Sequence, residues 1–227
     1  MKISLHKRNK NINGANSVLF QGKTRYVRGL LKPLKRVFYS HYKHPKYARG
    51  NSSKKIGIRV HEEVEKWAKG KTIKRPHRFT KQIVKQLKSL NLVPKEPEVH
   101  LLSSRGAFLT RSDLVCSHKG KNDVVVVSLK TGSNLGYTRA QGFLKGLGCI
   151  KNTVKNHHQL QLASEVACLE QEYDIPVSSA FVIYAGFGKK KDIKVDSLLP
   201  WAKTKLFRQT LMLGLYKDAV LRGDFVP

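Results

Sequence analysis

The sequence predicts an α/β (α+β) fold, a mixed central β-sheet flanked by helices, preceded by a basic N-terminal arm. Helical and strand-like patterns follow one another in the order helix, helix, three strands, helix, strand, helix, which is typical of this class. Four consecutive valines at 124–127 indicate a strand that is covered on both faces. With 227 residues, 40% of them hydrophobic, the chain is long enough for one substantial core and an appendage.

The arm covers residues 1–55, where glycine and proline often interrupt any regular pattern. The remaining residues, 56–227, form the predicted domain, which begins with helices at 57–68 and 80–90, the second capped by Thr80. Strands are predicted at 99–103, 108–116, 124–130 and 178–184, and further helices at 156–173 and 203–221.

The charge of the chain indicates a polyanionic partner. Lysine and arginine number 44 against 15 acidic residues, which gives a formal net charge of +29. Sixteen of these cations precede Glu62, the first acidic residue. Nucleic acid, DNA first, is the expected partner; an anionic membrane surface ranks second, and no membrane partner is expected. No apolar run reaches the length of about 18 residues that a spanning helix needs. The alternative is a basic protein kept soluble by its charge.

Basic and aromatic residues alternate through 25–47, where cations can meet phosphates while rings stack on bases. The alternative is that the rings only anchor the arm to the core. A second lysine run follows Gly188, at the tip of a predicted hairpin. The candidate nucleic-acid-binding residues are Arg28, Lys32, Lys35, Arg36, Lys43, Lys189 and Lys190.

The three cysteines, Cys116, Cys149 and Cys168, lie far apart in apolar segments and form no Cys-x-x-Cys pair. Buried reduced thiols are therefore expected, and no iron–sulfur cluster. Cysteines of this kind favour an intracellular location, and the choice between nucleus, cytoplasm, virion and mitochondrion stays open. The N-terminus lacks the apolar block of a secretory signal.

The candidate chemistry centres on an acid and a lysine on neighbouring predicted strands. Asp113 lies among apolar residues, where a carboxylate is costly unless it is paired or binds a cation. Lys130 ends the next strand, where an ammonium group can stabilise an attacking water or a charged phosphorane. Ser128 stands where a second acid is expected. The alternative is an inert salt bridge of Asp113 with Arg111 or Lys130.

Two helices supply further polar groups. His61 and Glu65 lie one turn apart on the first helix, and a neutral imidazole is a good ligand for a divalent metal. Gln161 and Glu165 have the same spacing on a later helix and form a polar notch. The alternatives are an ordinary core or surface histidine and a solvated polar face.

Together these segments resemble the PD-(D/E)XK nuclease superfamily, in particular its RecB-like exonuclease branch. The resemblance covers residues 57–184, more than half of the chain. Two positions depart from the family pattern, since Ser128 replaces an acid and Glu165 replaces a tyrosine. The matching residues are Gly57, His61 and Glu65 in the first motif, Gly106, Asp113, Leu114 and Val115 in the second, Lys130, Thr131 and Gly132 in the third, and Gln161 in the fourth.

The resemblance implies a restriction-endonuclease-like core, a bound Mg²⁺ or Mn²⁺ and hydrolysis of phosphodiester bonds. It assigns His61 and Asp113 as metal ligands, Lys130 as the catalytic lysine, and Gln161 as a residue that steadies the site. Glu98 matches the acid that the family often carries on its first strand.

The expected function is a divalent-metal-dependent DNA exonuclease, active in viral or organellar DNA processing. Loss of the acid at Ser128 weakens the binding of a hard cation, unless a carboxylate from elsewhere replaces it. Glu98 is the first candidate, because its strand neighbours that of Asp113 in the family fold, and Glu65 and Glu165 follow. The main alternative is an inactive, nuclease-derived protein that binds or packages DNA or RNA in a nucleoprotein or virion assembly. A structural component without nucleic acid is the last alternative.

Overall fold

The computed structural model describes residues 8–9, 16–20, 23–27, 29–39, 51–103, 108–132, 138–147, 150–187 and 192–222, with side chains from 29 onward except at 51–53. The strands are β1 (Arg8–Asn9), β2 (Asn16–Phe20), β3 (Lys23–Val27), β4 (Leu92–Leu102), β5 (Leu109–His118), β6 (Val125–Thr131), β7 (Ser179–Phe187) and β8 (Asp192–Ser197). The helices are α1 (Leu31–Val37), α2 (Asn51–Ala68), α3 (Arg78–Ser89), α4 (Val154–Glu172), α5 (Pro200–Lys203) and α6 (Lys205–Leu221).

The predicted α/β class is confirmed by a five-stranded mixed sheet in the order β4-β5-β6-β7-β8. The strands β6 and β7 are parallel, and every other neighbouring pair is antiparallel. Helix α4 is the crossover between the two parallel strands, which cannot be joined by a short hairpin. The C-terminal end of β6 lies next to the middle of α4, where Lys130 contacts Gln161.

The sheet has an apolar core on each face, which explains the continuous valine run of β6. Alternate residues of a strand point to opposite faces, so Val126 packs on the α4 and α6 side while Val125 and Val127 pack on the α2 and α3 side. Helix α4 is buried on most of its surface, consistent with its place between the sheet, α1 and α6.

The segment assigned to the arm contributes to the first of these cores. Leu34, Phe38 and Tyr39 are buried there, and the Tyr39 ring stacks on His157 with ring centroids 3.8 Å apart. The Tyr39 hydroxyl also donates a hydrogen bond to the His157 carbonyl oxygen at 3.0 Å. Strands β1, β2 and β3 form a separate antiparallel sheet. The boundary between arm and domain at residue 55 stays a prediction.

Several predicted boundaries were wrong. Helix α3 begins two residues earlier than expected, and its cap is His77, whose Nδ1 accepts a hydrogen bond from the Phe79 N–H at 3.2 Å. Thr80 lies inside the helix instead. Strand β4 starts at Leu92 and tolerates Pro94 and Pro97, because it is an edge strand of its sheet.

Two further elements differ from the expectation. The last predicted helix is divided at Thr204 into α5 and α6. Strand β8 was not predicted, because none of its residues is fully buried and its sequence lacks a clear alternation. Residues 138–147 contain neither a helix nor a strand.

Cys116 and Cys168 are buried and free, while Cys149 lies outside the described residues. Within the described part of the chain, no helix combines the length and apolarity that crossing a bilayer requires.

Candidate metal centre

The site lies where β5 and β6 stop pairing. The two strands pair through only three residues each, 114–116 with 125–127. Beyond them, the Asp113 carboxylate occupies the place of a strand partner. Its Oδ2 accepts hydrogen bonds from the Leu129 N–H at 2.6 Å and from the Ser128 hydroxyl at 3.3 Å. A backbone donor that the ladder leaves unpaired therefore fixes the carboxylate in position.

Helix α2 brings His61 to this carboxylate. The His61 Nδ1 lies 3.2 Å from Asp113 Oδ1, on the side of the carboxylate opposite the backbone contact. One turn earlier, a Cβ on Gly57 would lie 3.0 Å from the Thr131 hydroxyl. The glycine therefore lets α2 approach the end of β6 closely enough for the imidazole to reach the acid.

Strand β4 supplies a second carboxylate. Val99 pairs with Ser112, so Glu98 lies across from Asp113 on the neighbouring strand. Glu98 has φ 55°, a left-handed conformation that costs a residue other than glycine about 1–3 kcal/mol. Its Oε2 is 2.5 Å from an Arg111 guanidinium nitrogen. Strain of this kind persists only where the surrounding structure holds the residue in place.

One ligand atom from each of His61, Glu98 and Asp113 lies within 4.8 Å of the others. An imidazole nitrogen with two carboxylate oxygens is a donor set that suits a hard or borderline divalent cation. Two of the three residues, His61 and Glu98, line a cleft of about 320 Å³ together with Glu62, Glu65 and Arg111. The Glu65 carboxylate accepts a hydrogen bond from Lys69 at 2.5 Å and does not join the triad.

The two carboxyl groups of the triad have opposite pKa shifts. Burial opposes ionisation of Asp113, but the hydrogen bond and charge of His61, the charge of Lys130 and the Leu129 N–H hold its pKa below the usual range. Burial raises the pKa of Glu98, and the negative charge of Asp113 adds to this although Arg111 opposes it. A cation placed between the two groups would favour the charged form of both.

A chain of polar contacts runs from Lys130 into α4. The Lys130 ammonium donates to Gln161 Oε1 at 3.1 Å, and the Gln161 amide donates to Glu165 Oε1 at 3.0 Å. Burial and the nearby Asp113 raise the pKa of Glu165 to about 8. Its Oε2 is buried, and the Ser112 hydroxyl beside the carboxyl partly offsets the rise in pKa. This chain holds the ammonium in one orientation beside the metal triad.

A second histidine of α4 also faces this region and was not selected from the sequence. His158 Nδ1 lies 3.1 Å from the hydroxyl of Tyr184, and Tyr184 is the strand partner of Lys130. Burial raises the pKa of Tyr184 above its usual value. His158 precedes Gln161 by one helical turn, and this spacing was the sequence signal that could have identified it.

The basic candidates are scattered or lie outside the described side chains. Lys32 and Lys35 are exposed on α1, and Arg36 is 42% exposed and forms an ion pair with Asp218 at 2.8 Å. Those outside the described side chains are Arg28, Lys43, Lys189 and Lys190, as is Gly106 of the second motif.

No protein-family model matches the chain, and no curated protein matches it. Among solved structures, the chain is similar to one named "Putative exonuclease" from Eubacterium rectale, with a TM-score of 0.44 and 12% sequence identity. The similarity covers 86% of this chain and 74% of that chain. A similarity at this level carries no information about the residues of the site.

Proposed function

We propose that the protein is a divalent-metal-dependent nuclease that hydrolyses phosphodiester bonds of DNA at or near strand ends. The observation that carries the proposal is the convergence of His61, Glu98 and Asp113, which lie on three different elements and offer ligand atoms within 4.8 Å of one another. The motif pattern of the PD-(D/E)XK superfamily and the net charge of +29 support it.

The donor set fits Mg²⁺ or Mn²⁺. Two carboxylate oxygens and one imidazole leave coordination positions open for water and for a phosphate oxygen. When bound, the metal would supply Lewis-acid stabilisation of the phosphate and a water of lowered pKa.

Glu98 compensates for Ser128 in this proposal. In the family pattern a carboxylate at Ser128 would face the metal from β6. Here the Ser128 hydroxyl donates to Asp113, and the second carboxylate comes from β4 on the other side of that aspartate. The site therefore keeps two acids, and the serine positions one of them.

Lys130 and Gln161 act on the substrate in this proposal. The Lys130 ammonium donates one hydrogen bond to Gln161. The other protons of the ammonium can reach the attacking water or a phosphate oxygen. An ammonium fixed in this way stabilises charge that develops at phosphorus, and such donors contribute about 10²–10³-fold to a rate.

A second candidate function is nucleic-acid binding without catalysis, in packaging or in a larger nucleoprotein assembly. The presence of Ser128 favours it, and so does the Arg111 guanidinium, which pairs with Glu98 at 2.5 Å and competes with a cation for that carboxylate. In this case Arg111 in the cleft and Lys130 beside Asp113 would hold the phosphate backbone.

Cleavage of end-labelled DNA with Mg²⁺ or Mn²⁺ tests the two candidates. The nuclease proposal expects activity in the wild type and losses of at least about 100-fold in Asp113→Asn and Lys130→Ala. Lys119→Ala is the matched control, since Lys119 is exposed in the turn between β5 and β6. Equal activity in all four proteins would contradict the proposal. An inactive wild type that gains cleavage on Ser128→Asp would identify the natural protein as a disabled nuclease and so favour the second candidate.

A further inference from the structure

Helix α3 carries a row of cations on its exposed face. Its buried face consists of Phe79, Thr80, Ile83 and Leu87. The helix contains no acidic residue. The exposed residues at spacings of three, four and three lie within one arc of the helix. They are Arg78, Lys81, Lys85 and Lys88, and we call them the α3 row.

The α3 row has no ionic partner among the described residues. This sets it apart from α2, where Glu63 pairs with Arg59 and Glu65 pairs with Lys69, the residue after the helix. Asp192 lines the same shallow groove as Lys85 but forms no ion pair with it. The row therefore presents its full charge to a partner from outside the chain.

The helix that carries the row is fixed to the helix that carries His61. Glu63 accepts hydrogen bonds from the Thr80 hydroxyl at 2.6 Å and from the His77 N–H at 2.7 Å. His61 and Glu63 lie two residues apart on α2, so they point in different directions. His61 points to Asp113 and Glu98, and Glu63 points to α3. A partner held on the row is therefore held at a fixed position relative to the triad.

Packing of α3 on the sheet is equally tight. The Phe79 ring occupies the place where a Cβ on Gly186 would be. Gly186 has φ 77°, so a larger residue there would meet both backbone strain and a clash with the ring. The helix cannot shift on the sheet without losing this contact.

We propose that the α3 row binds the phosphate backbone of a DNA duplex and holds it beside the metal triad. Arg78 and Lys88 lie about 15 Å apart along the helix, and the four cations of the row can neutralise up to about four phosphates, one each. The exposed side of α3 carries no aromatic residue on which bases could stack, which favours a duplex over a single strand. This inference deepens the proposed nuclease function and rests on it for the role of the triad.

Binding of a short blunt-ended DNA duplex in EDTA, measured against salt concentration, tests the row. The test variant changes all four residues of the row to glutamine. The matched control removes the same charge from exposed lysines elsewhere, namely Lys119, Lys203, Lys205 and Lys217. The slope of log K against log salt should fall by about 3 to 4 in the row variant and by less than about 1 in the control. When salt rises from about 50 to 200 mM, the row variant should therefore lose about 100-fold less affinity than the control variant.

The same measurement is repeated with one strand of this duplex and with an RNA duplex of the same sequence. An equal or larger loss on the single strand, or on the RNA duplex, would overturn the assignment to duplex DNA, and equal slopes in both variants would overturn the row itself. Thermal unfolding checks that the variants fold. If the fourfold variant does not fold, the single variant Lys85→Gln replaces it, and it should lower the slope by about 0.9.

Metal-dependent cleavage of the same duplex separates this inference from the proposed function. If the wild type cleaves and the row variant has an unchanged slope, the α3 row is not the binding surface, and the nuclease proposal stands. A reduced slope without any cleavage by the wild type would remove the nuclease and leave the row as a binding surface.

Discussion

Asp113 accepts a hydrogen bond from the backbone N–H of Leu129 at 2.6 Å, at the point where β5 and β6 separate. The same carboxylate contacts His61 through its other oxygen. One acid therefore has two tasks, since it closes the open end of the strand pair and orients a metal ligand from α2.

Asp113→Asn separates these two tasks. The amide keeps the size of the side chain but loses the charge, so Mn²⁺ affinity measured by calorimetry should fall at least about tenfold. Without metal, unfolding at pH 7 should cost about 1–3 kcal/mol less than in the wild type, because a charged acceptor for Leu129 is lost. Since the folded pKa of Asp113 is lowered, this stability difference should diminish as pH falls below about 4. An unchanged Mn²⁺ affinity would remove Asp113 from the ligand set.

Glu98→Asn tests whether the left-handed backbone at Glu98 is retained for the sake of metal binding. Asparagine tolerates φ near 55° better than glutamate, so the metal-free variant should be no less stable than the wild type while Mn²⁺ affinity falls at least about tenfold.

Glu96→Asn is the control for Glu98→Asn, because Glu96 lies on the same strand and has no left-handed backbone. It should lower stability slightly, through poorer strand propensity, and leave the affinity unchanged. Equal losses of affinity in both variants would argue against Glu98 as a ligand.

The order of most helices and strands could be predicted from the sequence. The ends of several elements and the edge strand β8 could not. Periodicity indicates β6 and α4 because their apolar residues repeat over many positions. The prolines of β4 conceal most of that strand, since their cost depends on whether the strand lies at an edge, which a local pattern does not contain. Strand β8 is half-exposed throughout and leaves no alternating pattern.

The candidate site divides in the same way. Asp113 and Lys130 stand out because polar groups interrupt apolar strands. Glu98 was selected through the family resemblance, which implies an acid on a strand next to that of Asp113, and the structure brings it beside His61 and Asp113. The pairing of Arg111 with Glu98, instead of with Asp113, depends on the register of β4 and β5 and could not be predicted from either strand alone.

Glu63 joins α2 to α3, and its removal should loosen the pair. Its carboxylate accepts hydrogen bonds from Thr80, Arg59 and the His77 N–H, and these hold its pKa below the usual value although burial opposes them. Glu63→Gln and Thr80→Val should each lower the free energy of unfolding by about 1 kcal/mol or more.

Their double mutant should lose less than the sum of the two single changes, because one hydrogen bond is counted in both. Because the folded pKa of Glu63 is lowered, the cost of Glu63→Gln should shrink as pH falls below about 4. Denaturant titrations of the four proteins measure both effects. Strict additivity would show that the contact between Glu63 and Thr80 contributes nothing of its own.

Gln161→Ala should impair the reaction more than it impairs metal binding. It removes the acceptor that orients Lys130, so cleavage should slow by about 10–100-fold while Mn²⁺ affinity changes less than twofold. Gln159→Ala is a control from the other side of α4, where Gln159 binds Ser197 and Leu199 backbone groups and contacts no site residue. That variant should lose stability without a selective loss of rate. A matching loss of Mn²⁺ affinity in Gln161→Ala would instead place Gln161 in the ligand shell.

Glu165 makes the stability of the metal-free protein depend on pH. Burial and the charge of Asp113 raise its folded pKa to about 8, so the native state retains a proton that the unfolded chain releases near pH 4 to 5. Between these values stability falls as pH rises, by up to about 1.4 kcal/mol per unit. Glu165→Gln removes the ionisable group and should flatten this dependence, so that in EDTA the variant gains on the wild type from pH 5 to pH 8. Parallel stability curves for the two proteins would show that the Glu165 carboxyl is already ionised in the native state.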